Sequence, residues 1–166
     1  TLIESCPGTA TLVNSTMVNK EFVDFYKDSK WIFGNIADLN PDMTRYIIDS
    51  GVQYTFIEFD YKLCKHRNPI LHNFIEGTEC DYKESQLGSL IQDFITGSKT
   101  TFFMSEKQKE IYEQSLPDVS DANTRILSSL FDDACFERIS LLNDKYEGQP
   151  REDKWIVLGS QSWVKG

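Results

Sequence analysis

Residues 54–69 read YTFIEFDYKLCKHRNP, and the chemical character of this stretch changes abruptly in its middle. It begins as a run of apolar and aromatic residues typical of a buried strand, and it ends in a cluster of charged side chains. Glu58 and Asp60 stand where the strand would leave the core. Because ligands bind outside the carboxyl ends of parallel strands, a carboxylate here could orient a hydroxyl nucleophile or accept its proton. The alternative is that Asp60 caps a turn.

Strand-like runs alternate with helix-like segments on both sides of this stretch. Six such runs occur, at residues 10–18, 30–35, 52–59, 99–105, 124–130 and 154–160. The alternation predicts an α/β fold with a three-layer, Rossmann-like parallel sheet, because a parallel connection needs a crossover of about a dozen residues that is usually helical. Residues 60–83 instead read as a long irregular connection, since their prolines and glycines argue against one long helix.

The composition indicates a globular protein and argues against several classes of partner. The chain has 166 residues, of which 40% are hydrophobic, and this is enough for a buried core. Its net charge of −9 argues against binding to nucleic acid and against strong binding to anionic membranes. The sequence contains neither an apolar run long enough to cross a bilayer nor a signal-peptide pattern, so we predict a cytoplasmic protein.

The four cysteines are few and widely spaced, which predicts reduced thiols. Cys64, His66, His72 and Cys80 raise the question of a zinc site, but their spacing, C-x-H-x5-H-x7-C, matches none of the usual structural motifs. We therefore predict no metal. The sequence has no Walker loop, no GxGxxG after the first strand and no GxSxG turn, and no cofactor is expected. Ser105, which follows TTFFM, is equally explained as a helix cap.

Four stretches, in order along most of the chain, resemble the two-domain GT-B glycosyltransferases of the group 1, glycogen-synthase-like type. FDYKLC (59–64), followed by EGTEC (76–80), resembles their acceptor-domain segment HDYxxxC…G..C. TTFFMSEKQKEIYEQ (100–114) resembles their strand-Ser-helix segment. RILSSLFDDACFERI (125–139) resembles the segment before their domain crossover, and KWIVLGSQSWVKG (154–166) resembles the first strand of their donor domain.

This resemblance implies a retaining, metal-independent enzyme that transfers a sugar from a nucleotide-sugar donor to a hydroxyl of a glycan or other acceptor. It implies Asp60 and Glu58 as the catalytic pair on the acceptor side. The implied acceptor-binding residues are Tyr61, Lys62, Lys65, Arg67 and Ser105, and the implied donor-binding residues are Lys165 and Gly166.

The resemblance also implies a division of the chain. Residues 1–147 would form the N-terminal, acceptor-side half of the GT-B fold, residues 148–154 a linker, and residues 155–166 the first strand of a truncated donor-binding domain. We expect such a fragment to be inactive by itself, and its exposed tail to favour a homodimer. Many relatives have a histidine at the position of Phe59. The catalytic role of that histidine is therefore not carried over to this chain. The alternative is a non-catalytic, flavodoxin-like binding or regulatory domain, which also gathers acids at strand ends.

Overall fold

In the computed structural model, the described part of the chain comprises residues 7–34, 36, 38–116, 119, 123–128 and 133–150. The strands are β1 (Trp31–Phe33), β2 (Tyr54–Glu58), β3 (Thr100–Phe103) and β4 (Thr124–Ile126). The helices are α1 (Lys20–Phe25), α2 (Pro41–Asp49), α3 (Pro69–Glu76), α4 (Gln86–Thr96), α5 (Glu106–Ser115) and α6 (Asp133–Tyr146). Two short 3₁₀ turns lie at Ser15–Met17 and Tyr82–Glu84.

The strands form one four-stranded sheet in the order β1-β2-β3-β4, and all neighbouring pairs are parallel. This confirms the predicted α/β class and its parallel sheet, and it is consistent with a Rossmann-like fold. Sequential strand order with right-handed crossovers places the crossover helices on the same face of the sheet. The packing of α2 against α4 agrees with that arrangement. The third layer and the GT-B architecture stay predictions.

Local sequence signals set the helix ends. The side chains of Asn19, Asn40 and Ser85 each accept a hydrogen bond from a backbone N–H in the first turn of α1, α2 and α4. Pro41 occupies the first position of α2, where its missing N–H costs no hydrogen bond. The chain leaves α2 through Gly51, whose φ of 73° is the left-handed conformation that glycine adopts without strain.

The core lies on one face of the sheet. Phe33 and Phe56 are paired across β1 and β2 on this face, and Phe103 of β3 lies two residues farther along, opposite Glu58. Phe94 of α4 packs edge-on to Phe33 and Phe56. Their exposed fractions are all 8% or lower. The other face is only partly covered among the described residues, since Ile32 in β1 is 64% exposed.

Two predicted segments differ from the structure. Residues 10–18 form no strand, because Asn14 Oδ1 accepts from both the N–H and the hydroxyl of Thr16 and closes a 3₁₀ turn in their middle. Residues 60–83, expected to be irregular, contain α3, which Asn68 caps and Pro69 begins. The predicted strand at 154–160 lies outside the described residues.

The chain divides into two compact units, one of residues 2–129 and one that combines residue 1 with residues 130–166. The sheet belongs to the first unit. In the second unit the structure describes α6, whose side chains are mostly exposed, and the turn that follows it. The predicted domain boundary at residue 147 therefore lies within the second unit. Among the described residues, no helix has the length and apolar character needed to cross a membrane.

Candidate functional site at the carboxyl edge of the sheet

Glu58 and Asp60 lie at the carboxyl end of β2, as the sequence predicts, but in very different environments. Glu58 is the last residue of β2 and is 0% exposed. Asp60 follows two residues later, and its side chain is 50% exposed. Of these two carboxylates, that of Asp60 is presented to solvent, and Glu58 belongs to the interior.

Glu58 is the centre of a buried polar network. Its Oε1 accepts hydrogen bonds from the Asp60 N–H at 2.7 Å and from Lys62 Nζ at 3.1 Å. Its Oε2 accepts from the Tyr112 hydroxyl at 2.8 Å, and that hydroxyl accepts from the Lys62 N–H at 2.8 Å. Lys62 is 1% exposed and Tyr112 0%. Such burial is tolerable because each charged atom has a partner.

Burial shifts the acid–base behaviour of this network. It raises the pKa of Glu58 above its ordinary value, although the Lys62 charge and the hydrogen bonds from Asp60, Tyr112 and Lys62 act against that shift. Burial, and then the neighbouring Glu58 carboxylate, raise the pKa of Tyr112 well above its ordinary value. The Tyr112 hydroxyl therefore stays a neutral donor to the Glu58 carboxylate.

The network fixes the backbone that carries Asp60. The Asp60 N–H donates a hydrogen bond to Glu58, and the Asp60 carbonyl accepts one from Gln108 Nε2 at 2.6 Å. Gln108 lies in the first turn of α5, whose N-cap is Ser105. Lys62 Nζ lies 3.5 Å from Asp60 Oδ2. Asp60 is thus held beside the start of α5, the segment that follows the predicted strand TTFF.

Glu58 and Lys62, predicted as a catalytic and an acceptor-binding residue, are both enclosed in the structure. Their side chains bind each other, and neither is exposed at the surface where an acceptor would lie. Tyr61 is half-buried, and its hydroxyl lies 2.9 Å from Ser115 Oγ. These positions support Asp60 or the core around it.

The other predicted binding residues are not all brought to this edge. Lys65 Nζ is 2.7 Å from Glu76 Oε1, which His66 Nε2 also approaches at 2.8 Å. The hydrogen bond from Lys65 and, as the next largest cause, that from His66 lower the pKa of Glu76 to about 2. Arg67 is exposed and has a φ of 57°, in the left-handed region that non-glycine residues rarely adopt. The predicted donor-binding residues, Lys165 and Gly166, lie outside the described residues.

The fold also brings together residues that the spacing argument set aside. The ligand atoms of Cys64, His72 and Cys80 all lie within 4.8 Å of one another. Cys64 and His72 are buried, and burial also raises the pKa of the partly exposed Cys80 thiol. Among the described cysteines none is in a disulfide. Motif spacing did not reveal this cluster, because its members meet only when α3, which carries His72, brings together the segments before and after it.

Two residues of the site went unnoticed in the sequence. Gln108 and Tyr112 reach Asp60 and Glu58 from α5, 48 and 54 residues along the chain. They are four residues apart and share one face of that helix. A tyrosine in a mostly polar and charged helix was the available signal, but it does not name its partner.

A cavity of about 390 Å³ lies at the opposite, amino-terminal edge of the sheet, and the residues that line it include Val52, Gly97 and Lys99. Ligands of open parallel sheets bind at carboxyl edges, so the edge that carries Asp60 is the better candidate.

Comparison with known proteins adds no assignment. No protein-family model matches the chain, and neither the curated proteins nor the solved structures include one that is significantly similar to it.

Proposed function

We propose that the parallel-sheet unit is the acceptor-side part of a retaining GT-B glycosyltransferase, which transfers a sugar from a nucleotide-sugar to an acceptor hydroxyl. Two independent features support this proposal. One is the resemblance of FDYKLC and TTFFMSEKQKEIYEQ to the acceptor domain of those enzymes. The other is the position of both stretches, which meet at the carboxyl edge of one parallel sheet through the Gln108–Asp60 bond.

The observation that carries the proposal is the half-exposed Asp60 carboxylate on a rigid support. Its backbone is bonded on one side to the buried Glu58 and on the other to Gln108. A carboxylate held in this way accepts a hydrogen bond from an acceptor hydroxyl without first being ordered, which is the main contribution of a positioning group. Asp60 then orients the nucleophile, and Glu58 positions Asp60.

Neighbouring groups suit a sugar acceptor. Phe59 is 52% exposed. Its ring lies beside Gly34, just after β1, and a Cβ built on that glycine would be 3.5 Å from the ring. Ser105 is exposed at the start of α5. An apolar ring beside a few polar groups is the usual composition of a small-molecule site. The ring offers a surface for a carbohydrate face, and Asp60 and Ser105 offer hydrogen bonds to its hydroxyls.

Asp60→Asn is the decisive test. The change keeps the size of the side chain but removes its negative charge, so the side chain accepts a hydrogen bond from a hydroxyl less strongly. We expect the wild-type chain to bind members of a panel of glycan acceptors, measured by calorimetry or by NMR shifts. We expect D60N to weaken that binding about 10- to 100-fold, the usual value of a hydrogen bond to a charged group.

Asp28→Asn is the matched control, since Asp28 is an exposed acid outside this edge. It should bind acceptors as the wild type does. If no acceptor in the panel binds, or if D60N and D28N bind equally well, the proposal fails. Either of these two results would favour the alternative of a non-catalytic domain.

A further inference from the structure

The connection between β2 and α4 holds a compact set of soft ligand atoms. Cys64 follows the turn that leaves β2, His72 lies in the second turn of α3, and Cys80 comes after that helix. Cys64 is 0% exposed and His72 3%. Three segments that are distant along the connection therefore direct two thiols and one imidazole to the same place.

The spacing of these atoms suits a tetrahedral zinc ion. Zinc binds sulfur at about 2.3 Å and histidine nitrogen at about 2.0–2.1 Å, so two such ligands in a tetrahedron lie about 3.6 Å apart. Cys64 Sγ and His72 Nδ1 are 3.7 Å apart. These two atoms are thus already at the separation that the ion requires, and Cys80 Sγ lies within 4.8 Å of the ligand atoms of both residues.

From this geometry we propose that Cys64, His72 and Cys80 bind one Zn²⁺ ion. Two thiolates and an imidazole are ligands that select zinc, and their binding releases the two thiol protons. Solvent supplies the fourth ligand.

His66 is not a ligand in this proposal, although its ring centroid is 5.4 Å from that of His72. Its Nε2 is bonded to Glu76 at 2.8 Å, which holds the imidazole outside the cluster. The ion therefore joins the β2 end of the connection to α3 and to the segment before the Tyr82–Glu84 turn. It anchors the segment that begins at Asp60, and this structural role does not depend on the proposed enzyme activity.

The test starts with the 166-residue chain, prepared without a histidine tag from zinc-containing medium. We expect elemental analysis to find about one zinc per chain. After the zinc is removed and Co²⁺ is added, we expect a thiolate-to-cobalt charge-transfer band together with the intense d–d bands of tetrahedral cobalt. Since the wild type alone gives this spectrum, the test does not require that any variant folds.

Variants then assign the ligands. Cys80→Ser and His72→Gln should each lower the affinity for zinc by about 100-fold or more, since losing even an outer partner of a metal ligand costs about 10- to 100-fold. His66→Gln and Cys135→Ser, which change a neighbouring imidazole and a thiol on α6, should keep both the zinc content and the cobalt spectrum. Circular dichroism of each variant checks that it is folded.

Three results would overturn the proposal. The first is a wild-type chain without stoichiometric zinc and without the cobalt–thiolate band. The second is loss of the ion from H66Q, which would show that the ligand set is wrong. The third is a Cys64–Cys80 disulfide, found by non-reducing mass spectrometry in protein prepared with zinc, since oxidised sulfur cannot bind the ion.

Discussion

At the scale of single residues, the most informative pair is Glu58 and Lys62. Two ionised side chains with exposed fractions of 0% and 1% would be very unfavourable alone. They are tolerated because the carboxylate receives hydrogen bonds from Lys62, Tyr112 and the Asp60 backbone. In this molecule, burying a charge pair fixes the position of the exposed acid beside it.

This pair leads to a prediction about stability. Glu58→Gln leaves the buried Lys62 ammonium with only the more distant, half-exposed Asp60 carboxylate as counter-charge, so we expect it to lower the free energy of unfolding by about 3–5 kcal/mol. The double change Glu58→Gln/Lys62→Met removes both charges and should cost at least about 2 kcal/mol less than the single change. Urea unfolding of the two variants gives both values.

The matched control is an exposed ion pair on α5. Lys107 Nζ and Glu110 Oε2 are 3.0 Å apart, with side chains 75% and 54% exposed. Glu110→Gln should cost less than about 0.5 kcal/mol, because solvent screens this pair. Equal costs for E58Q and E110Q, or no rescue in the double variant, would contradict the buried-pair interpretation.

At the scale of elements, α4 depends on a close approach to the 3₁₀ turn before it. A Cβ built on Gly88 would be 2.0 Å from the carbonyl oxygen of Tyr82 and 2.7 Å from the Cα of Lys83. These are backbone atoms, which cannot rotate away as the end of a side chain could. Glycine is thus required here for packing, even though it is a poor helix former.

Gly88→Ala should therefore destabilise the protein, although alanine has the higher helix propensity by about 1 kcal/mol. We expect a net loss of about 1–3 kcal/mol in the free energy of unfolding, the usual cost of overpacking. Ser89→Ala at the next, exposed position of α4 is the control and should change stability by no more than about 0.5 kcal/mol. Thermal unfolding of both variants would measure the difference, and a stabilised G88A would show that the turn moves away freely.

At the scale of the whole molecule, the two faces of the sheet differ. Phe33 points into the core with 8% of its surface exposed, whereas its neighbour Ile32 is 64% exposed. A three-layer sheet would cover both residues. The degree to which Ile32 is covered therefore distinguishes the predicted third layer from a sheet with one open face.

The described part of the chain predicts unequal costs for these two positions. Phe33→Ala should lower the free energy of unfolding by about 3–5 kcal/mol, because it leaves a cavity among packed aromatic rings. Ile32→Ala should cost less than about 1 kcal/mol, as at other exposed positions. Chemical denaturation of the two variants gives the comparison. Costs of similar size would show that a further layer covers the second face.

Local signals in the sequence were enough to predict the order of elements from α1 to α5, with α3 as the exception. Strand runs such as YTFIEF and caps such as Asn19 and Ser85 act within a few residues, through side-chain periodicity and backbone hydrogen bonds. The same reasoning failed at residues 10–18, where a single Asn14 turn overrode a run of β-branched residues. Short segments without a partner strand are where local patterns are least reliable.

The sequence by itself determined that this chain forms a parallel α/β sheet and that Asp60 stands at a strand end, because both follow from patterns of neighbouring residues. Only the tertiary structure decided that Glu58 and Lys62 are buried, that Tyr112 completes their network, and that Cys64 meets His72 and Cys80. The physical reason is that the burial of a charge or the meeting of ligands depends on atoms supplied by distant segments. A charged residue and a lone cysteine look the same in sequence whether or not the fold brings them a partner.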